Sequence, residues 1–310
     1  MRRKTVGGRW MLRQPTCIKA AVWNGKAISS ARHCKSNGRT GNHETAKRDE
    51  ARLFHPKIPL PRWHTARSIR GRMKLELAGV SKFFGKTRAL DEVSEVFEPG
   101  RIVAILGLNG AGKSTLLHCL AGILSLGEGR FTFDGEPFSR ERVDLRRRFA
   151  FLPDFPLYFR WMNGLQHIGM VLRLYGKDTP DAQERVLDLL RGFDLLPLAG
   201  AKLITLSRGQ IYKMALVALM AANPELWLLD EPMASGMDAL GFREFRARAR
   251  AAANAGATIL YTTQILSVAE QFSDEVIVLH QGRVRARGAA SGLHASGELE
   301  QLLASLSEEK

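Results

Sequence analysis

Residues 107–115 read Gly-Leu-Asn-Gly-Ala-Gly-Lys-Ser-Thr, directly after the apolar run Ile102, Val103, Ala104, Ile105 and Leu106. A short, continuous apolar run is what a strand buried on both faces of a parallel sheet requires. Beyond the glycines, Leu116, Leu117 and Leu120 recur at helical spacing. Gly107, Gly110 and Gly112 therefore lie between a strand and a helix, the setting in which this pattern cradles phosphate. Glycines let successive backbone N–H groups turn toward an anion, and the helix start adds the positive end of its dipole. Asn109, Ala111 and Thr115 complete the loop. Lys113 is expected to reach the β- and γ-phosphates and Ser114 to ligate Mg²⁺, which points to ATP with its magnesium ion.

The net charge of +15 suggests nucleic-acid binding until it is located. Residues 1–72 carry 18 Lys and Arg against 3 Asp and Glu, so the remaining 28 and 28 cancel over residues 73–310. The first 72 residues hold Pro15, Pro56, Pro59 and Pro61 and no sustained apolar periodicity, a composition expected to stay disordered. Three readings of this segment stand. In the preferred one, translation begins at Met73, where a strand pattern opens at once. The others are a basic tail that touches anionic lipid or nucleic acid, and an Arg-rich targeting peptide without an apolar core. Cys17, Cys34 and Cys119 form neither a disulfide framework nor a zinc site. No apolar run reaches the 18 residues of a membrane span.

Along residues 73–310, alternation at 73–80 and a second strand at 89–97, closed by Pro99 and Gly100, suggest half-buried strands. Residues 130–133 followed by Asp134 and Gly135 read as a hairpin, so this part is expected to form an antiparallel β subdomain. Residues from about 155 to 205 lack strand runs and carry helical spacing, a helical insertion. Strands return at 226–229, 258–263 and 275–279, and Gln281 and Gly282 turn into another at 283–286. The fold expected is α/β, a P-loop NTPase core with a mostly parallel sheet. A closing amphipathic helix is expected over residues 300–306. Arg146, Arg147 and Arg148 read as a solvated helix end, and Arg243, Arg246, Arg248 and Arg250 as an exposed helix face.

Two further motifs narrow the chemistry. Leu226, Trp227, Leu228 and Leu229 run into Asp230 and Glu231, so an apolar strand ends in two carboxylates. Asp230 is placed to hold Mg²⁺ and Glu231 to polarise an attacking water. In Leu206-Ser207-Arg208-Gly209-Gln210, Ser207 and Gln210 have capping-box spacing ahead of Ile211, Met214, Ala215 and Ala218.

With these motifs in this order, residues 73–310 resemble a nucleotide-binding subunit of the ATP-binding cassette (ABC) transporters, of the stand-alone export type. The family signature is LSGGQ, and Arg208 replaces its first glycine. The resemblance implies that Ser207, Gly209 and Gln210 face the γ-phosphate held by a second cassette, in a homodimer or heterodimer. It implies that Phe84 stacks on adenine and that Asp238 lies at the cross-dimer position. The helical insertion would dock a membrane permease, placing the subunit on the cytoplasmic side of the membrane, with no nucleic-acid partner. A soluble family member acting on ribosomes or nucleic acid, and a weakly hydrolysing regulatory cassette, are the other readings. Two residues depart from the family pattern. Asp154 stands where a metal-binding Gln is expected, and a carboxylate can still ligate Mg²⁺. Gln264 replaces the switch histidine and cannot carry a positive charge, which predicts slower hydrolysis while binding survives.

Overall fold

The computed structural model describes residues 22–23, 26–27, 73–291 and 305. The chain divides into two units, Met1–Arg67 and Ser68–Lys310. In the first, strands β1 (Val22–Trp23) and β2 (Lys26–Ala27) pair antiparallel. The expectations for the rest of residues 1–72, and for a helix at 300–306 apart from Ser305, lie outside the described residues.

The second unit begins with β3 (Leu75–Phe84), β4 (Thr87–Phe97), β5 (Ile102–Leu106) and α1 (Lys113–Leu120). Next come β6 (Glu128–Phe133), β7 (Glu136–Pro137), α2 (Val143–Arg146) and β8 (Phe149–Leu152). The helical stretch holds α3 (Gly164–Tyr175), α4 (Ala182–Gly192) and α5 (Arg208–Ala222), followed by β9 (Leu226–Leu229) and α6 (Ala239–Asn254). Then β10 (Thr258–Thr263), α7 (Leu266–Phe272), β11 (Glu275–His280) and β12 (Arg283–Ala289) follow.

A six-stranded sheet runs in the order β12-β11-β5-β10-β9-β8, parallel except for β12, and a four-stranded antiparallel sheet in the order β4-β3-β6-β7. The apolar runs occupy the middle of the parallel sheet because both faces are covered: every residue of β5, β9 and β10 is buried. One face contributes Val103, Ile105, Leu228, Leu260 and Ile277 to a core shared with Leu75, Phe97 and Phe133 of the antiparallel sheet. Leu116, Leu117 and Leu120 of α1 join that core, and so does Cys119. Burial raises the Cys119 thiol to about 11, so it behaves as a small apolar residue. On the other face, Tyr261 packs against Phe272 of α7, which in turn meets Phe245 of α6.

The hairpin between β6 and β7 turns at Asp134 and Gly135, both at positive φ. The Asp134 carboxylate accepts from the Lys74 N–H at 2.8 Å and pairs with Arg148 at 2.6 Å. Arg148 thus corrects the reading of a solvated arginine run: its guanidinium also holds Glu225 at 2.7 Å, and its carbonyl accepts the Glu225 N–H. The arginines of α6 likewise do not form a merely exposed face. Arg248 pairs with Asp188 and Glu244, Arg250 with Asp274, and Arg246 donates to the Gln271 carbonyl. A guanidinium offers several donors in a planar fork, so one arginine can join two elements at once. Among the described residues no helix is long and apolar enough to cross a membrane.

Candidate functional site

Parallel pairing puts the C-terminal ends of β5, β8, β9 and β10 at one edge, with Leu106 opposite Thr263, Leu229 opposite Tyr261, and Leu152 opposite Leu229. The residues that follow these strands therefore converge. Such an edge is the usual ligand crevice of an open α/β sheet.

After β5, the glycine loop wraps ahead of α1. Gly112 adopts φ +103°, and a Cβ there would lie 2.5 Å from the Ala89 carbonyl oxygen. Gly107 has a similar constraint, with the Leu279 carbonyl oxygen 2.3 Å from a would-be Cβ. Gly110, at φ +82°, instead has open space around it. The loop is braced from outside: the Gly282 N–H donates to Ala111 at 2.9 Å, and the Asp91 N–H to Gly282 at 2.9 Å. Asn109 and Gly110 are exposed at its tip, Ala111 is buried, and Thr115 is half-buried on α1.

Lys113 is buried, and its Nζ donates to the carbonyls of Gly107 at 2.9 Å and Leu108 at 3.1 Å. Burial holds this ammonium below the ordinary lysine value, and the neighbouring Glu231 carboxylate acts in the opposite direction. Glu231 Oε1 stands 3.6 Å from Lys113 Nζ and accepts from Gln264 Nε2 at 3.3 Å.

The second carboxylate is held more tightly. Asp230 Oδ1 accepts from Ser114 Oγ at 3.1 Å and from Thr262 Oγ1 at 2.7 Å. Thr262 Oγ1 in turn accepts the Glu231 N–H at 2.8 Å. One buried hydroxyl thus holds the Asp230 carboxylate and the Glu231 backbone, and Glu231 leaves the strand in a left-handed conformation at φ 43°. Thr262 is absent from the residues expected from sequence. The available signal was a Thr-Thr pair ending an otherwise mostly apolar strand.

The donor set suits a triphosphate with a divalent cation. A glycine cradle opens ahead of a helix start, an ammonium sits over it, and a hydroxyl and a carboxylate converge as hard oxygen ligands.

The signature residues form a separate cluster. Ser207 and Gln210 make the expected capping box, with Gln210 N–H to Ser207 Oγ at 3.2 Å and Ser207 N–H to Gln210 Oε1 at 2.9 Å. Gly209 approaches the next loop so closely that a Cβ would lie 2.2 Å from the Gly236 carbonyl oxygen. Asp238 caps α6 through the Gly241 N–H at 2.7 Å and pairs with buried Lys213 at 3.0 Å. The Gly241 N–H and then Lys213 hold the Asp238 carboxyl below the usual carboxylate range. Lys213 is a second residue that sequence reasoning missed; only its burial exposes its task. Among the described residues, no hydrogen bond or ion pair links Ser207, Gly209 or Gln210 to Lys113, Ser114 or Glu231.

Asp154 does not join Ser114 and Asp230. It follows β8, is about half exposed, and faces Arg208 Nη2 at 3.5 Å. Asp154 thus meets Arg208, the residue that replaces the first glycine of the signature. Phe84 is 49% exposed at the end of β3, and Lys82 Nζ lies over its ring, 5.4 Å from the centre.

Residues 90–234 match the protein family described as ABC transporter. The chain is 32% identical over 211 residues to the ABC-type transporter ATP-binding protein EcsA of Bacillus subtilis, covering 67% of this chain and 85% of that one. It is 33% identical over 222 residues to the daunorubicin/doxorubicin resistance ATP-binding protein DrrA of Streptomyces peucetius, covering 72% and 67%. The sulfate/thiosulfate import ATP-binding protein CysA of Mesorhizobium japonicum is 34% identical over 230 residues, covering 72% and 65%. A solved structure of the ATP-binding subunit of an ABC transporter superposes with a TM-score of 0.70 at 28% identity, over 75% of this chain and 99% of that one.

Proposed function

The chain belongs to the ATP-binding subunits of the ABC transporter family, and from that premise we propose that two cassettes clamp ATP between them to drive a separate membrane permease, in the direction of export. ATP binding and hydrolysis come with the family. The one observation that carries the reading is the shared hydroxyl of Thr262, which ties Asp230, Ser114 and Glu231 into one unit beside Lys113.

In this reading Lys113 exchanges the carbonyls of Gly107 and Leu108 for phosphate oxygens. Ser114 and Asp230 would hold Mg²⁺, which would supply positive charge against the triphosphate. Glu231 orients and deprotonates the attacking water, and Gln264 donates an amide hydrogen toward the γ-phosphate. Phe84 offers its exposed face to adenine. Ser207, Gly209 and Gln210 of one cassette serve the phosphates held by the other, and Asp238 lies at the seam. The absence, among the described residues, of any hydrogen bond or ion pair between the signature residues and Lys113, Ser114 or Glu231 supports a second cassette. A relative named for drug resistance supports export. The subunit would then sit on the cytoplasmic face, against its permease.

The test uses Glu231→Gln in the full chain, which keeps the side-chain shape and removes the base. Mixed with radiolabelled ATP and Mg²⁺, it is expected to elute as a dimer that retains label, with hydrolysis lost. Elution as a monomer without label would overturn the sandwich.

A further inference from the structure

Tyr212 lies on α5, the helix that begins with the signature residues and packs against β8. Its side chain is fully buried, and its hydroxyl has no hydrogen-bond partner. Phenylalanine would fill the same volume without the penalty of an unpaired buried hydroxyl. The adjacent buried polar group on α5, Lys213, is already engaged by Asp238.

The surroundings suggest what the hydroxyl is for. Burial drives its ionisation upward, and the charges of Asp230 and Asp154 push the same way, so both carboxylates lie within electrostatic reach. These two residues follow β8 and β9, neighbouring parallel strands with Leu152 opposite Leu229. Tyr212 lies one helical turn after Arg208, the α5 residue that meets Asp154, on a helix that packs against β8.

Asp154 meanwhile makes a loose contact, 3.5 Å from Arg208, with both side chains about half exposed. Exposed pairs of this kind contribute little and are readily exchanged. A carboxylate turned inward beside Asp230 would be repelled by it, unless a divalent cation lay between them. A phenolic donor on the far side would favour the ionised form and fix its direction.

We propose that Tyr212 is a positioning residue of the hydrolytic site, whose hydroxyl donates to the Asp154 carboxylate when that group leaves Arg208 and turns inward to share the metal ion with Asp230. The inference rests on the nucleotide-binding reading above and assigns the signature helix a second task, holding a metal-site residue of its own subunit. Asp154 then has two seats, one on Arg208 at the surface and one under Tyr212. Magnesium occupancy selects between them.

The experiment compares wild type, Tyr212→Phe, Asp154→Asn and the double variant in the full chain. Thermal melting without ligand reports on packing, and Mn²⁺ binding by electron paramagnetic resonance, with a non-hydrolysable ATP analogue, reports on the site. Tyr212→Phe is expected to melt at or above the wild-type temperature, because it removes an unpaired hydroxyl. Its Mn²⁺ affinity is expected to fall about tenfold, a loss of ~1.4 kcal/mol. Asp154→Asn should weaken Mn²⁺ binding at least as much, and the double variant should be no weaker than Asp154→Asn alone. Wild-type affinity in Tyr212→Phe would overturn the proposal, as would a lowered melting temperature, which would mark a merely structural hydroxyl. If wild type itself bound no Mn²⁺ with the analogue, the nucleotide reading would fall, and this proposal with it.

Discussion

Replacing Thr262 with valine keeps the volume and the β-branch of a fully buried strand residue and removes only its hydroxyl. Two consequences follow from the geometry. Asp230 loses the 2.7 Å bond to Oγ1, a charge-assisted contact of about 1.5–3 kcal/mol. The Glu231 N–H loses its 2.8 Å acceptor at the end of a buried strand, and an unpaired donor there costs about 1–3 kcal/mol. The two effects share one oxygen and do not add in full, so the net destabilisation is set at about 3 kcal/mol. At 2–4 °C per kcal/mol for a domain of this size, nucleotide-free protein should melt about 6–12 °C lower. Thr262→Ser is the control: it keeps the hydroxyl and loses one methyl group, for about 0.8 kcal/mol. Urea denaturation of both variants without nucleotide separates folding from metal binding. Steady-state ATPase should fall further in the valine variant, because Asp230 and Glu231 lose their common anchor. Should Thr262→Val prove as stable as Thr262→Ser, the claim that this hydroxyl anchors the Asp230 carboxylate and the Glu231 backbone is wrong.

Other consequences can be checked as directly. His167 on α3 is buried with Nδ1 unpartnered, and burial holds its imidazole below the ordinary value. The unfolded chain then binds the proton more readily, so this contribution is complete above about pH 6.5 and lost as pH falls from there toward the folded value. Thermal melts of His167→Gln should show a shallower loss below pH 6.5 than wild type; an unchanged slope would clear His167 of the effect. Gln264 would meet the γ-phosphate through a neutral amide, whereas a charged donor there contributes about 1–1.5 kcal/mol more. Gln264→His should therefore raise the steady-state ATPase about tenfold. No gain would mean that Gln264 has another role.

Much of the frame was legible in the residue order because local rules suffice for it. The runs at 226–229 and 258–263 are too short and too apolar for a surface helix, and they form β9 and β10 with those limits. Ser207 and Gln210 announce the start of α5 by spacing alone, and Asp134 with Gly135 announces its hairpin. The arginines were misread for a physical reason. Arg148 and Arg248 look like surface charges from either side in sequence, and their partners Glu225 and Asp188 come from distant segments. Thr262, Lys213 and Tyr212 carried no motif; their tasks arise from burial next to particular neighbours.

The order of residues by itself set the phosphate loop, the strand that ends in two carboxylates, the capped signature helix and hence the family. Each of these is encoded within a few neighbours through backbone freedom, apolar periodicity and cap chemistry. Only the folded chain decided that one hydroxyl would join Asp230 and Glu231, and that Asp154 would meet Arg208. It also left Tyr212 with a buried hydroxyl that has no hydrogen-bond partner. Those arrangements depend on which strands lie side by side, and packing of the whole core settles that order.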